Sequence, residues 1–319
     1  MDRKYIYSKP FQSDKLYSWI YEILPSEVRT FLQNANIEEK NSISEIHLRA
    51  SGLSTITCCN KSIVITCPYK SEPLRLCSKD IEDFIYRMCK GSVYTHEESI
   101  ANGFITVNGI RMGISGTVTL SSSKVTGFSD IKGVNIRLPV HIPGCADDLM
   151  TFFTEKDLEQ SFGILVASAP GVGKTTVLRE LAIKLSQGVK DKHGNTTLFR
   201  TCVIDERCEL YIPSLFSNCC ADIYCGIPKH TGIEFASRTM NPQIIIFDEI
   251  GSEKDASAVL SAHFGGVSFI SSVHASSPAT VTEKKALREL FSAGIFTHIY
   301  FLERTSDGIK GTLKEVQKC

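Results

Sequence analysis

A glycine-containing loop follows a short apolar run near the middle of the chain. Residues 167–176 read ASAPGVGKTT. Gly171 and Gly173 allow backbone torsions and close approaches that a Cβ would block, so the N–H groups of the loop can point at phosphate oxygens. Lys174 supplies a positive charge for the β- and γ-phosphates, and Thr175 supplies a hydroxyl for Mg²⁺. The pattern therefore predicts a phosphate-binding loop at the start of a helix.

One position departs from the strict form of this loop. The pattern G-x-x-x-x-G-K-[ST] has glycine at position 168, where this chain has Ser168. The part that wraps the phosphates, PGVGKTT, is intact, and a helix-forming stretch follows it. The alternative is an ordinary strand–turn–helix connection with an exposed lysine. The residues predicted to bind nucleotide are Ser168, Ala169, Pro170, Gly171, Val172, Gly173, Lys174, Thr175 and Thr176.

Two acidic residues follow a second apolar run, NPQIIIF. The carboxyl ends of parallel strands open onto the ligand crevice, so Asp248 is expected to face the same pocket as Lys174. Asp248 suits coordination of Mg²⁺ together with Thr175, and Glu249 can polarise the attacking water. The alternative is that both acids only cap the next helix, although Ser252 supplies a better cap for it.

The elements that must position these residues divide the chain into two predicted domains, 1–145 and 146–319. The first domain carries short β-type runs and two helical stretches, and Asn108-Gly109 predicts a hairpin turn. These features predict a smaller N-terminal α+β domain with an antiparallel sheet. The predicted strands are 45–49, 54–58, 62–67, 104–120 and 134–140, and the helical stretches are 14–34, interrupted by Pro25, and 78–91.

Strands alternate with helices in the second predicted domain. Such alternation means parallel pairing through right-handed crossovers, so we expect an α/β fold with a RecA-like, three-layer P-loop ATPase core. The predicted strands are 163–167, 199–204, 243–247, 267–272 and 297–302, and the predicted helices are 175–187, 231–240, 252–263 and 278–290.

Composition bounds the possible partners. The 319 residues include 35 Lys+Arg and 35 Asp+Glu, a balance that counts against a nucleic-acid partner but leaves a local basic patch possible. Apolar runs fall short of the ~20 residues that span a bilayer, so membrane association is expected to go through partner proteins and not through insertion. The start, MDRKYIYSKPFQSDK, is not that of a signal peptide, so the twelve cysteines are expected to be reduced. The stretch CCADIYCGIPKH is a weak alternative zinc site because it lacks a CxxC pair.

The order of motifs resembles the secretion-ATPase group, which includes type II secretion and type IV pilus motors. A closer resemblance is to the stage III sporulation protein AA family, and it covers nearly the whole chain. The stretches that carry it include ILPSEVRTFL, EIHLR, YTHEESIANGFIT, NIRL, APGVGKTTVLREL, VIDERCE and SRTMNPQIIIFDEIGSEKD. This resemblance implies a cytoplasmic homo-hexameric ATPase of the mother cell. It would lie peripherally at the membrane, docked on membrane proteins of the channel that leads to the forespore.

The resemblance also implies roles for further residues. The strand inserted between the two motifs ends in VIDER, whose Asp205 and Glu206 would support Glu249. His274, at the end of SFISSVH, would contact or sense the γ-phosphate region.

In secretion motors, arginines of a neighbouring subunit's sheet domain complete the site. Arg111 and Arg137 stand on matching segments and are the proposed trans-acting residues, with Arg207 and Arg238 as further candidates. The alternative for Arg111 and Arg137 is an exposed position on an antiparallel strand.

The leading functional hypothesis is a motor ATPase that uses ATP and Mg²⁺. Two other hypotheses stay open at this point. One is a nucleic-acid-dependent ATPase, because the same core serves helicases. The other is a scaffold that binds nucleotide with little turnover.

Overall fold

The computed structural model describes residues 18–34, 43–58, 61–67, 70, 72–139, 141–155, 161–190, 194–282, 284–306 and 308–316. They divide between two compact units, and the second unit begins at His141. The domain boundary predicted after residue 145 lies a few residues beyond this division. Residues 14–17 of the predicted N-terminal helical stretch lie outside the described residues.

The N-terminal unit is built on an antiparallel sheet, as the sequence predicts, and this sheet has six strands. Its strands, in the spatial order β3-β2-β1-β6-β5-β4, are β1 Ile43–Arg49, β2 Thr55–Cys58, β3 Lys61–Val64, β4 Phe104–Val107, β5 Ile110–Ser121 and β6 Lys124–Arg137. Its helices are α1 Ser18–Ile23, α2 Ser26–Asn34, α3 Ser78–Met88 and α4 Glu97–Ala101, and a 3₁₀ turn covers Val93–His96.

Local chemistry explains two boundaries in this unit. Pro25 lies between α1 and α2, where its missing N–H ends the first helix. Asn108 and Gly109 have φ values of +48° and +78°, the left-handed conformation that a two-residue hairpin between β4 and β5 requires. The amphipathic α3 buries Ile81 and Phe84 in the core of this unit.

The C-terminal unit carries a seven-stranded, mostly parallel sheet in the order β11-β10-β12-β13-β7-β14-β15. Its strands are β7 Gly163–Ser168, β10 Thr201–Asp205, β11 Ala221–Cys225, β12 Ile244–Phe247, β13 Ser268–His274, β14 His298–Thr305 and β15 Gly308–Glu315, and β8 Val189–Lys190 pairs with β9 Thr196–Thr197 in a separate ribbon. The helices are α5 Asp147–Glu155, α6 Lys174–Gln187, α7 Lys229–Thr239, α8 Glu253–His263, α9 Pro278–Thr282 and α10 Lys285–Ser292.

The sheet of this unit is covered on both faces. Along β7, Ile164 and Val166 pack in one apolar cluster with residues of α6, whereas Leu165 and Ala167 pack in another with residues of α7 and α8. Successive side chains of a strand point to opposite faces, so a strand buried on both sides reads as a continuous apolar run. This arrangement makes the chain a mixed α/β protein, as expected.

The structure corrects the sequence predictions for this unit. The edge strands β11 and β15 were not predicted, and β15 runs antiparallel to β14, so the sheet is not wholly parallel. Gly308, which has φ +127°, is the residue whose type could have revealed the hairpin of β14 and β15. The single helix predicted at 278–290 is two helices, α9 and α10.

Candidate functional site

The glycine loop joins β7 to α6 in the conformation that its sequence predicts. Gly171 has φ +74° and Gly173 has φ +121°, values that residues with a Cβ rarely adopt. Ser168 is the last residue of β7, is buried and does not have a positive φ. A serine therefore fits where the strict pattern has glycine.

The loop presents a row of backbone donors. In the described part of the chain, the N–H groups of residues 171–176 donate no hydrogen bond to another residue. They surround the N-terminus of α6, where the helix dipole favours negative charge. Phosphate oxygens would satisfy these donors, so the loop fits a nucleotide.

The side chain of Lys174 lies against the end of the neighbouring strand. It is 6% exposed, and its Nζ donates to Nδ1 of His274 at 2.7 Å and to the carbonyl oxygen of Ser168 at 3.4 Å. Burial lowers the pKa of Lys174, and the nearby carboxylates of Asp248 and Glu249 offset this lowering only in part. Further negative charge beside the amine would therefore be stabilising.

Asp248 is held by two hydroxyl donors. The hydroxyl of Thr175 donates to Oδ2 at 3.1 Å, and the hydroxyl of Ser272 donates to Oδ1. The N–H of Glu249 also points at Oδ1, at 3.0 Å. Hydroxyl and carboxylate oxygens are the ligands that Mg²⁺ prefers, so Thr175 and Asp248 fit this metal.

Glu249 is linked to Lys174 through a histidine. Nε2 of His274 lies 3.5 Å from Oε2 of Glu249, and Nδ1 of the same ring accepts from Lys174. An ammonium group can only donate, so the ring proton must be on Nε2, facing Glu249. The three side chains thus form a line from the glycine loop to the acid pair.

The sheet order explains why these residues meet. Strand β13 lies between β7 and β12, and all three are parallel. Their carboxyl ends consequently share one edge of the sheet, with His274 opposite Ser168. Lys174 and Thr175 approach this edge from one side, and Asp248 approaches it from the other.

The acids of the VIDER stretch lie at the end of β10, the strand beside β12. Asp205 is buried, and its carboxylate accepts the N–H groups of residues 209–211 at 2.8, 2.9 and 2.8 Å. Burial raises the pKa of Asp205, although these donors act in the opposite direction. Glu206 forms an ion pair with Lys229. Asp205 therefore holds the loop, and support of Glu249 by either acid stays a prediction.

The proposed trans-acting arginines belong to the N-terminal unit. The guanidinium of Arg111 lies over the ring of Phe104, 4.0 Å from its centroid, and Nε of Arg137 is 3.8 Å from a carboxylate oxygen of Glu45. Action on a neighbouring subunit stays a prediction for both. The further candidates Arg207 and Arg238 are exposed residues of the C-terminal unit.

Sequence reasoning missed two residues that shape the site. Ser272 holds the carboxylate of Asp248, and the guanidinium of Arg179, on α6, donates to the carbonyl oxygens of Glu209 and Leu210. Neither has a local sequence signal, because each acts on a residue distant along the chain.

Two further findings concern metals and membranes. Among the described residues, no three His, Cys, Asp or Glu side chains are grouped as a metal site, so the zinc alternative for CCADIYCGIPKH finds no support. The described helices are each too short or too polar to cross a membrane.

Comparison with solved structures defines the class of fold. The ATPase DotB of Legionella pneumophila superposes with a TM-score of 0.59 and 16% identity, over 91% of this chain and 80% of that chain. The pilus retraction motor PilT, solved with bound ADP, superposes with a TM-score of 0.57 and 16% identity, over 85% and 78%. The chain therefore has the fold of the secretion and pilus motor ATPases.

Comparison of sequences identifies the family. Residues 14–317 match the family described as "Sporulation stage III, protein AA", and the chain belongs to that family. Stage III sporulation protein AA of Bacillus subtilis is 28% identical over 307 residues, which cover 93% of this chain and 94% of that protein. The resemblance predicted from the sequence is confirmed.

Proposed function

We propose that the chain is a Mg²⁺-dependent ATPase of the secretion-motor type. The observation that carries this proposal is that Lys174, Thr175, Asp248 and Glu249 lie together at one edge of the parallel sheet. The similarity in fold to PilT, which was solved with bound ADP, adds support for a nucleotide ligand.

Each residue has a distinct part in the proposed reaction. The N–H groups of the loop and the ammonium of Lys174 hold the phosphates, while Thr175 and Asp248 hold Mg²⁺. The metal ion would supply positive charge to the phosphate oxygens. Glu249 accepts the proton of the attacking water. The ring Nε2–H of His274 keeps the carboxylate of Glu249 in place.

The family and the fold of the motor ATPases support a proposal for the assembly. We propose a cytoplasmic homo-hexamer in the mother cell in which Arg111 and Arg137 reach the nucleotide of a neighbouring subunit. The hexamer would power or assemble the channel to the forespore while docked on its membrane proteins.

The test is the Glu249→Gln variant, because glutamine keeps the shape of the side chain but cannot accept the proton. We expect ATP binding near the wild-type level and turnover reduced by about 10²- to 10⁴-fold. Glu234→Gln, at an exposed position of α7, is the matched control and should hydrolyse normally. Undiminished turnover in Glu249→Gln would refute the assignment.

Partners can be found with the same variant. A full-length Glu249→Gln protein, held in its ATP-bound form, should capture membrane proteins from sporulating cells, and Lys174→Ala should capture fewer. Stimulation of wild-type turnover by single-stranded nucleic acid would instead favour the nucleic-acid-dependent alternative. Binding of ATP without turnover, even with the captured partners present, would favour a scaffold.

A further inference from the structure

Two cysteines meet at the carboxyl end of β10, outside the nucleotide site. The loop after β10 turns back so that the N–H of Cys208 donates to the carbonyl oxygen of Asp205 at 3.3 Å. The N–H of Gly226 donates to the same oxygen at 3.0 Å, and Cys225 pairs with Asp205 across β10 and β11. One carbonyl group thus anchors the backbone of both segments and brings Cys208 and Cys225 close enough for their side chains to interact.

Neither thiol has a part in the proposed hydrolysis, and both can be reached from solvent. Cys225 is exposed and Cys208 is partly exposed, and neither forms a disulfide in the structure. Cys202, which precedes them on β10, is fully buried. Cys208 and Cys225 therefore differ from a buried cysteine that only fills space in the core, because they lie near each other and solvent can reach them.

We propose that Cys208 and Cys225 are a modification site, at which a peroxide converts the two thiols into a reversible disulfide. The bond would fasten the loop 206–211 to the segment that precedes α7. Formation requires the sulfur atoms to approach to about 2 Å, and the shared anchor at Asp205 keeps the two segments near each other for that approach.

The first step oxidises one of the two sulfurs. The thiolate form of that cysteine attacks one oxygen of hydrogen peroxide. The O–O bond breaks, the attacking sulfur becomes a sulfenic acid, and the departing hydroxide takes up a proton to form water.

The second step closes the disulfide. The sulfur of the second cysteine attacks the sulfenic sulfur, the S–O bond breaks, and the hydroxyl group leaves as water with the proton of the second thiol. The two thiols lose two electrons and two protons in total, and one peroxide is reduced to two water molecules. A thiol reductant reverses the bond.

The disulfide would act on the loop 206–211, which hydrogen bonds and an ion pair already hold in place. The carboxylate of Asp205 holds residues 209–211, Arg179 holds the carbonyl groups of residues 209 and 210, and Glu206 pairs with Lys229 at the start of α7. A covalent link across the same junction would stop Glu206 and Arg207 from moving independently of α7. An effect on turnover rests on the proposed ATPase function, whereas formation of the bond does not.

Peptide mapping of the full-length protein tests the proposal without any variant. The reduced protein is treated with a small excess of hydrogen peroxide, alkylated, digested without reductant and analysed by mass spectrometry. We expect a cross-linked peptide pair containing Cys208 and Cys225, which disappears after treatment with dithiothreitol. Recovery of both residues as alkylated thiols, or in disulfides with other cysteines, would overturn the proposal.

Two variants separate this disulfide from general oxidation. Cys225→Ser should lose the cross-linked pair, whereas Cys220→Ser, at an exposed position nearby, should keep it. Hydrogen exchange at residues 206–211 should slow on oxidation in the wild type and in Cys220→Ser but not in Cys225→Ser. Equal slowing in all three proteins would also contradict the proposal.

Discussion

The hydroxyl of Thr175 donates a hydrogen bond of 3.1 Å to Oδ2 of Asp248, linking the first turn of α6 to the end of β12. Strand β13 lies between β7, which leads to Thr175, and β12, which leads to Asp248. The contact places a hydroxyl and a carboxylate beside the phosphate loop, where they can share one cation.

Replacement of this hydroxyl should change the magnesium requirement. In Thr175→Val the shape is kept but one metal ligand is lost, so half-maximal ATP hydrolysis should need roughly tenfold more Mg²⁺, corresponding to about 1.4 kcal/mol. The measurement is turnover against Mg²⁺ concentration at fixed ATP. Thr196→Val, at an exposed position of the β8–β9 ribbon, should match the wild type. If turnover depends on Mg²⁺ concentration identically in Thr175→Val and in the wild type, Thr175 is not a ligand of the metal ion.

Adjacent serines of β13 provide an internal comparison. Ser271 and Ser272 are both fully buried. The hydroxyl of Ser272 donates to Asp248 and accepts the N–H of Glu249 at 3.2 Å. The hydroxyl of Ser271 has no hydrogen-bond partner among the described residues. Ser272→Ala should lower kcat by about tenfold, because loss of roughly 1–1.5 kcal/mol of hydrogen bonding frees the carboxylate. ATP binding should change little, and Ser271→Ala should retain wild-type kcat. Equal effects of the two substitutions would mean that Ser272 only packs.

Lys174 should be required for binding and not for folding. Burial lowers the pKa of its amine, so the charged form is poorly compensated without a ligand. Lys174→Met should weaken ATP binding by about 10- to 100-fold through loss of a charged hydrogen bond, while the thermal midpoint without nucleotide stays equal or rises. Calorimetric titration and thermal denaturation measure the two effects, with exposed Lys254→Met as control. A large fall in the thermal midpoint would point to a structural role instead.

His141 should make the protein sensitive to mild acid. It is buried, with Nε2 3.4 Å from a carboxylate oxygen of Glu180, and burial together with Arg179 and Lys184 lowers the pKa of His141 to about 4. The folded state thus resists a proton that the unfolded chain binds below about pH 6.5. Stability should therefore fall as the pH decreases from 6.5 towards 4, by about 2 kcal/mol at pH 5.

Denaturant unfolding at pH 7 and pH 5 measures this loss. His141→Gln removes the titrating group, so its difference between the two pH values should be smaller than that of the wild type. If the variant loses as much stability as the wild type, other groups cause the acid sensitivity.

Local patterns were sufficient for much of the fold. The Asn108-Gly109 turn, the break at Pro25 and the alternating runs predict the antiparallel sheet, because turn chemistry and side-chain period act within a few residues. Edge strand β11 escaped prediction because it is only five residues long and none of its side chains is fully buried. The separation of α9 from α10 was not predicted because the apolar residues of both helices fit a single helical period.

By itself, the sequence determined the glycine loop, the acid pair and the family, because each is encoded in contiguous residues. Only the tertiary structure decided which side chains touch. The hydrogen bond between Lys174 and His274 joins residues 100 positions apart, and that between Thr175 and Asp248 joins residues 73 apart. Such contacts depend on the order of strands in the sheet, which is set by packing on both of its faces and not by any local run of residues.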